Sequence, residues 1–219
     1  MSVALDRPPI PAGILGGGVV AIARMLDARS APDVAKALAE GGVRAFEITL
    51  NDPIDRALEA LTGVAASRPD KLDIGAGTVL TIEAARSALD AGATFLVMPH
   101  TDPELIAWAA ERGVPTLPGV ATPTEALGAW RAGAAAIKVF PASSLGPTFI
   151  RELHGPFPDL PLVPTGGVTA ETAGAFIAAG AVAVGLGSWL VGDGDPAGVT
   201  ERARQVTATV AGARAGATG

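Results

Sequence analysis

The chain has 219 residues, a length that can bury a large core and fits one α/β domain better than two small ones. Its 22 acidic and 16 basic residues give a net charge of −6, which argues against a broad basic surface for nucleic acid or an anionic membrane. Cysteine is absent, which excludes disulfides, thiolate metal sites and cysteine nucleophiles. Charges and prolines interrupt any signal-peptide core near the start, and no apolar run is long enough to span a membrane, so we expect a cytoplasmic protein.

The predicted elements repeat one unit, a short β-branched run followed by an alanine-rich segment of helical period. In chain order the runs are VVAIA, AFEITL, LDIGAG, TFLVMP, VPTLPG, AAIKVF, PLVPTGG and VAVGLG. A spacing of roughly twenty residues is typical of parallel strands joined by helices. Eight such units predict a single (β/α)8 TIM barrel over residues 1–219, with a flexible lead-in at about 1–17 and a frayed tail at about 212–219. An open doubly wound sheet is the alternative, but its usual dinucleotide-binding glycine pattern is missing.

Lys138, one of three lysines, lies inside the apolar run of the sixth predicted strand. Burying an unpartnered ammonium is costly, so we expect an amine that is partly neutral and therefore nucleophilic. Active sites of (β/α)8 barrels gather at the carboxyl ends of the strands, which is where this pattern puts Lys138. We favour a Schiff-base role over the alternative, a lysine whose head reaches solvent or an ion pair.

Glu47 lies in the second predicted strand, where successive side chains alternate between two faces. The apolar face should pack against the helices, which turns Glu47 inward together with Ala45 and Thr49. Burying a carboxylate is costly unless it has an interaction partner, so a buried carboxylate indicates either such a partner or a role in catalysis. The residues leave two readings open: an ion pair with Lys138 or Arg24, or proton transfer during the formation and breakdown of an imine.

Other strand ends carry groups suited to an anionic substrate. Thr78 could bind a carboxylate or cap the helix that follows it, and Arg24 could pair with the same carboxylate or form a surface ion pair. Glycine turns after the last two strands could bind phosphate through backbone N–H groups. The residues of these turns are Gly166, Gly167, Gly187 and Ser188. No histidine or acidic cluster has metal-ligand spacing, so we expect neither a metal nor another cofactor.

Seven motifs in chain order resemble the class I, Schiff-base 2-keto-3-deoxy-6-phosphogluconate (KDPG) aldolases. This family also includes aldolases for 4-hydroxy-2-oxoglutarate (KHG) and for 2-keto-3-deoxy-6-phosphogalactonate (KDPGal). The motifs are VVAIAR, GGVRAFEITLNDP, IGAGTVL, PGVATPTEA, IKVFPASSLGP, VPTGGV and GLGSWLV, from about Val19 to about Val191. The resemblance implies a lyase that cleaves KDPG to pyruvate and glyceraldehyde 3-phosphate, with KDPGal or KHG as alternative substrates. It also implies a homotrimeric, cytoplasmic (β/α)8 barrel acting in Entner–Doudoroff-type carbohydrate metabolism.

The resemblance also assigns roles to residues. It implies Lys138 as the imine-forming lysine, Glu47 as the general acid/base, and Arg24 with Thr78 at the carboxylate of the pyruvate moiety. It puts the substrate phosphate on the four residues of the glycine turns. Further pocket contacts are expected from Thr165, Phe140, Pro99 and Asn51.

Two features leave the substrate open. Many family members carry arginine where this chain has Asn51, which makes Arg24 the guanidinium expected at the carboxylate. The LN pair ending at Asn51 and the FPASSLGP run resemble the galactonate branch, whereas Thr165 resembles the gluconate branch. More distant alternatives are a phosphosugar epimerase or isomerase without an imine, and a non-catalytic phosphosugar-binding barrel. Lys138 argues against both, because neither needs it.

Overall fold

The computed structural model describes residues 7–51 and 53–217. Its strands are β1 (Val19–Ala23), β2 (Ala45–Thr49), β3 (Asp73–Gly77), β4 (Phe95–Val97), β5 (Thr116–Leu117), β6 (Gly119–Val120), β7 (Ile137–Val139), β8 (Leu162–Pro164) and β9 (Val184–Leu186). Its helices are α1 (Ala12–Gly17), α2 (Ala31–Glu40), α3 (Ile54–Ala66), α4 (Ile82–Asp90), α5 (Pro103–Ala110), α6 (Pro123–Arg131), α7 (Ala142–His154), α8 (Ala170–Ala178), α9 (Ser188–Val191) and α10 (Pro196–Ala217). The fifth predicted strand is divided at Pro118 into β5 and β6. Of the described helices, none combines the length and apolarity needed to cross a bilayer.

The strands pair in parallel and form two hydrogen-bonded sheets. Their orders are β5-β4-β3-β2-β1-β9 and β6-β7-β8. The chain passes directly from β5 to β6, and the Val182 N–H donates to the Leu162 carbonyl at 3.0 Å. A bridge between Thr165 and Gly185 also brings the end of β8 beside β9. The parallel sheet is therefore curled into a half-barrel with the helices outside it.

Strand alternation separates two apolar clusters. On β2, Phe46 and Ile48 belong to the cluster between strands and helices, whereas Ala45 belongs to the interior cluster. The interior cluster consists of Ile14, Val20, Ile22, Ala45, Phe95, Val97, Leu117, Ala136, Val163 and Ala183. The inward direction predicted for the Ala45 face of β2 is confirmed. On β7, Ile137 and Val139 pack outward, so the residue between them faces the interior.

Residues 12–17 form helix α1, which differs from the flexible lead-in predicted for this segment. Ile14 is fully buried in the interior cluster at the amino ends of the strands. The Gly13 N–H donates to the Asp73 carboxylate at 2.7 Å, and a side chain at Gly13 would collide with the Arg44 carbonyl. The glycine-rich sequence therefore permits close packing against β2 and β3. Residues 1–6 of the predicted lead-in lie outside the described residues.

The C-terminal segment also differs from its prediction, because α10 continues to Ala217 where a frayed tail was expected from about residue 212. Arg214 donates to the carbonyl oxygens of Leu15, Gly16 and Val182 at 2.9, 3.1 and 2.6 Å. These hydrogen bonds hold the end of α10 against α1 and the start of β9. Residues 218 and 219 lie outside the described part of the chain.

Candidate active site

Among the described residues, two charged side chains are buried: Glu47, with 2% of its surface exposed, and Lys138, with 7%. Glu47 lies two residues beyond Ala45 on β2, and Lys138 two residues beyond Ala136 on β7. Both therefore face the interior, one layer closer to the carboxyl ends of the strands than the apolar cluster. No ion pair within 4.0 Å joins either side chain to another described residue. One of the two alternatives for Glu47 was that it serves only as the ion-pair partner of Lys138 or Arg24. The structure does not show such an ion pair.

Burial raises the pKa of Glu47 above the ordinary value of a glutamate, because the interior disfavours the charged form. The positive charges of Lys138 and Arg24 act in the opposite direction, but burial has the larger effect. A carboxyl group with a raised pKa keeps its proton at a pH where exposed carboxyl groups have lost theirs. Glu47 is therefore suited to give and take a proton at a higher pH than an exposed glutamate.

Glycines on β3 make the room that Glu47 occupies. Gly75 and Gly77 face the interior, because the residues that alternate with them pack outward in the other cluster. A side chain at Gly77 would overlap the Glu47 carboxyl group, and one at Gly75 would overlap the Phe95 ring. Sequence reasoning put Gly77 at the end of a predicted strand but gave it no role in the site. The alternating glycines of the GAG motif are the signal that could have identified it.

Lys138 is flanked by small and apolar groups. It pairs in register with Gly119 of β6 and with Val163 of β8. Its Nζ atom lies 5.2 Å from the centroid of the Phe140 ring. Pro99 lies one strand further away, where a Cβ on Gly119 would be 2.5 Å from the Pro99 carbonyl carbon. The structure thus brings Phe140 next to Lys138, as expected, and puts Pro99 on the far side of Gly119.

Arg24 follows β1 and is exposed. A Cβ on Gly187 would lie 2.9 Å from its Nη1 atom, and Arg24 lines a cavity of about 280 Å³ together with Ser188. Its charge also acts on Glu47. In the described part of the structure Arg24 has no ion-pair partner, so the alternative of a surface ion pair is not observed. Its guanidinium is therefore available to an anion near the β9 turn.

The turn after β8 adopts a conformation that favours glycine. Gly166 and Gly167 have φ angles of 95° and 75°. A Cβ on Gly166 would lie 3.0 Å from the Phe140 ring, and one on Gly167 would lie 2.6 Å from the Ser143 Cβ. The N–H groups of Gly167 and Ser188 donate to no acceptor in the described residues. These two donors, one on each glycine turn, can bind an anion.

Thr78 lies at the end of β3 with a φ of 57° and is half-buried. Helix α4 is capped instead by Thr81, whose hydroxyl accepts a hydrogen bond from the Ala84 N–H at 3.1 Å. The alternative in which Thr78 caps the following helix is therefore wrong. Its hydroxyl remains a candidate for substrate binding.

Thr165 is buried at the end of β8, and its hydroxyl donates to the Val163 carbonyl at a long 3.3 Å. The hydroxyl occupies the space that a side chain on Gly185 would need. A weakly held hydroxyl at this position can turn toward a ligand in the interior.

Asn51 lies further out, beyond the end of β2. The Thr49 hydroxyl hydrogen-bonds both the Asn51 side-chain amide and the Ala23 carbonyl, the latter at 3.0 Å. Sequence reasoning gave Thr49 no such role, although it holds the ends of β1 and β2 together. Asn51 also lines a cavity of about 480 Å³ with Arg29 and Arg56, and this cavity includes neither Lys138 nor Glu47. The described residues contain no group of three or more histidine and acidic side chains able to hold a metal ion.

A lysine and a carboxyl group buried in one interior, beside two glycine turns, are the groups of an imine-forming α/β enzyme. The family comparison agrees: residues 13–201 match the model of the KDPG and KHG aldolases, and the chain belongs to this family. Like its relatives, it is an aldolase, a lyase that breaks carbon–carbon bonds.

Three similar proteins illustrate the range of the family. "Probable 2-dehydro-3-deoxy-6-phosphogalactonate aldolase" of Rhizobium meliloti is 41% identical, over 91% of this chain and 93% of its own. "2-Dehydro-3-deoxy-phosphogluconate aldolase" of Treponema pallidum is 39% identical, over 79% of this chain and 80% of its own. The KDPG aldolase of Legionella pneumophila was solved with pyruvate captured at low pH as a covalent carbinolamine intermediate. It is 28% identical, covers 93% of this chain and 97% of its own, and has a TM-score of 0.78.

Proposed function

We propose that this aldolase reversibly cleaves KDPG to pyruvate and glyceraldehyde 3-phosphate through an imine on Lys138. The observation that carries the proposal is the burial of Lys138 and Glu47 in one interior without an ion pair between them. Burying two ionisable groups without an ion pair is costly unless a ligand completes the arrangement. The covalent carbinolamine of the Legionella relative supports the same chemistry.

The first half of the reaction forms the imine. The Lys138 amine attacks the C2 ketone, a C–N bond forms, and the ketone oxygen becomes the hydroxyl of a carbinolamine. Glu47 in its protonated form gives its proton to this hydroxyl, which leaves as water. The raised pKa of Glu47 favours this donation, because its carboxyl group keeps a proton at a pH where an exposed glutamate has lost it.

The second half breaks the carbon–carbon bond. Glu47, now a carboxylate, accepts the proton of the C4 hydroxyl as the C3–C4 bond breaks and its electron pair moves into the protonated imine. Glyceraldehyde 3-phosphate leaves, and an enamine remains on Lys138. Glu47 returns its proton to C3, and water hydrolyses the resulting imine to release pyruvate and the free amine.

Different residues bind the two ends of the substrate. Thr78 and Arg24 bind the carboxylate of the keto acid, and the two glycine turns bind the phosphate. The proximity of Arg24 to Gly187 supports an added contribution of its charge at the phosphate end. Phe140 and Pro99 supply apolar walls, while Thr165 and Asn51 are available to the hydroxyl groups of the substrate.

The C4 epimer KDPGal is the second candidate substrate. Asn51 and the Rhizobium relative, whose name specifies the galactonate, favour it. Values of kcat/KM for KDPG, KDPGal and KHG, measured with the same preparation, decide between them. A higher value for KDPGal than for KDPG would reassign the main substrate without changing the mechanism.

The imine is tested by trapping. The protein is incubated with pyruvate and borohydride, and its intact mass and peptide map are measured. We expect one reduced pyruvate, attached to Lys138, and no adduct on Lys138→Met. Lys36→Met is the matched control, because Lys36 lies exposed on α2, and it should trap pyruvate like the wild type. A folded wild-type protein without an adduct would leave the imine-free epimerase or the binding barrel as the better reading.

We further propose that the half-barrel closes into a complete (β/α)8 barrel and that three copies assemble in the cytoplasm, where the enzyme serves Entner–Doudoroff-type sugar-acid breakdown. The hydrogen bond from Val182 to Leu162 supports closure between β8 and β9. Light scattering coupled to size-exclusion chromatography tests the trimer, and a molar mass of one chain would contradict it.

A further inference from the structure

Arg202, on α10, holds the end of the short helix α9. Its Nε atom donates to the Leu190 carbonyl at 2.8 Å, and its Nη2 atom donates to the Val191 carbonyl at 3.3 Å. Carbonyl groups in the last turn of a helix have no partner within that helix. Arg202 therefore supplies a charged donor group to both carbonyls, and the Val191 carbonyl also accepts from the Gly194 N–H at 3.0 Å.

Close packing fixes the position of this guanidinium. A Cβ on Gly192 would lie 3.0 Å from Nη2, and a Cβ on Gly198 would lie 2.9 Å from Nη1. Gly198 is itself held, because its N–H donates to the Asp195 carboxylate at 2.8 Å. The guanidinium thus lies between the backbone at Gly192 and the backbone at Gly198. A side chain at either glycine would come too close to it.

The same two residues of α9 connect Arg202 to the β9 turn. The N–H groups of Leu190 and Val191 donate to the Gly187 carbonyl at 2.9 and 3.0 Å. Arg202 binds their carbonyl groups, so a continuous set of hydrogen bonds runs from α10 through α9 to Gly187. Because α9 has four residues, a shift of Leu190 and Val191 moves Gly187 and Ser188 directly.

We propose that Arg202 is a positioning residue for the phosphate subsite and that it sets the preference of the enzyme for phosphorylated over unphosphorylated keto acids. The inference rests on the proposed function, which puts the substrate phosphate at Gly187 and Ser188. Lys138 and Glu47 lie on other strands, so the chemical step is expected to keep its rate once substrate is bound.

The test compares KDPG with KHG, which carries no phosphate, in Arg202→Ala. Loss of the charged hydrogen bonds should raise KM for KDPG about tenfold, with kcat changed by less than about threefold. KM for KHG should stay within about twofold of the wild-type value. Arg202→Lys keeps one charged donor group and should show part of the preference for KDPG that Arg202→Ala loses.

Arg214→Ala is the matched control, because it removes an arginine of the same helix that also donates to backbone carbonyls, but at the amino ends of the strands. It should lower the melting temperature without changing the ratio of the two KM values. If Arg202→Ala fails to fold, the comparison of Arg202→Lys with Arg214→Ala carries the test.

Three results would overturn the inference. One is an equal rise of KM for KDPG and for KHG in the Arg202 variants. Another is a change in the ratio of these two KM values in Arg214→Ala that is as large as the change in Arg202→Ala. The third is a wild-type enzyme that does not prefer the phosphorylated substrate, which would also remove the proposed phosphate subsite. The pyruvate trap on Lys138 would still report on the imine in each case, so failure of the aldolase mechanism is seen separately.

Discussion

Gly77→Ala is a direct test of how Glu47 is placed, because it adds one methyl group beside the carboxyl group and leaves every proposed catalytic residue intact. Gly77 is not in the left-handed region of backbone conformation, so alanine fits the local backbone of β3. The three atoms nearest to the added Cβ all belong to Glu47.

The size of the effect follows from the distances. The position that a Cβ on Gly77 would take lies 2.8 Å from the Cγ atom of Glu47 and 2.5 Å from its Cδ atom. Nonbonded carbon atoms ordinarily approach to about 3.5–4.0 Å, and the Oε1 atom of Glu47 lies closer still to the added Cβ, so the carboxyl group must move by at least about 1 Å. A displacement of that size in a catalytic group costs about 100-fold in rate, equivalent to about 2.7 kcal/mol in the activation barrier.

The assay is steady-state cleavage of KDPG, with aldehyde release coupled to a dehydrogenase. We expect kcat to fall about 100-fold while KM changes by less than about threefold, since the groups proposed to bind carboxylate and phosphate stay in place. Gly128→Ala on α6 is the control, because among the described residues no atom outside its chain neighbours and the backbone of its own helix lies within 4 Å of the added methyl group. It should keep wild-type activity. A folded Gly77→Ala enzyme with kcat within threefold of the wild type would refute the position assigned to Glu47.

Four further predictions concern the buried carboxyl group and the β8 end. Because burial raises the pKa of Glu47, the acid limb of the pH profile of kcat/KM should lie above the ordinary glutamate value of about 4.3, and a limb at that value would contradict the role of base. Glu47→Gln should lower kcat by two to four orders of magnitude, to about 10⁻²–10⁻⁴ of wild type. A raised folded-state pKa gives stability that is full below the unfolded pKa and lost as pH rises through the folded pKa. Urea unfolding should therefore show the stability of Glu47→Gln gaining on that of the wild type as the pH rises above the ordinary glutamate pKa of about 4.3. Thr165→Val should change the ratio of kcat/KM for KDPG to that for KDPGal, and an unchanged ratio would remove Thr165 as a determinant of the C4 configuration.

The interior of the site was predictable from local pattern alone. Alternation along β2 fixes which residues face inward, and the apolar flanks of Lys138 indicate a buried strand, so both directions follow from a period of two. The register that brings the strands side by side then puts the ends of the βα units at one edge. The inward direction of Glu47 and the burial of Lys138 need no long-range information, whereas the pairing of the strands does.

The segments that sequence reasoning misread depend on contacts between distant parts of the chain. Glycine-rich residues 12–17 look flexible until Asp73, sixty positions away, accepts a hydrogen bond from Gly13. The end of α10 looks frayed until Arg214 reaches the carbonyls of Leu15 and Gly16. Amino-acid composition indicates the preference of a segment in isolation. These two helices are stabilised by residues distant in sequence, which only the fold brings near them.

The proposed site residues share a feature that explains why cavity size is a poor guide to the chemistry here. The larger cavity, of about 480 Å³, lies beside Asn51 and includes neither buried charge. The proposed side chains instead occupy space that glycines on neighbouring segments leave open. The pairs are Gly77 with Glu47, Gly185 with Thr165, Gly187 with Arg24 and Gly166 with Phe140. Gly166 and Gly187 also belong to the turns proposed to bind phosphate, whereas Gly77 and Gly185 have no other proposed role, so replacing either of the latter displaces one group. Variants of Gly77 and Gly185 therefore separate the placement of Glu47 and Thr165 from their chemical identity, which substitution of those two residues themselves cannot do.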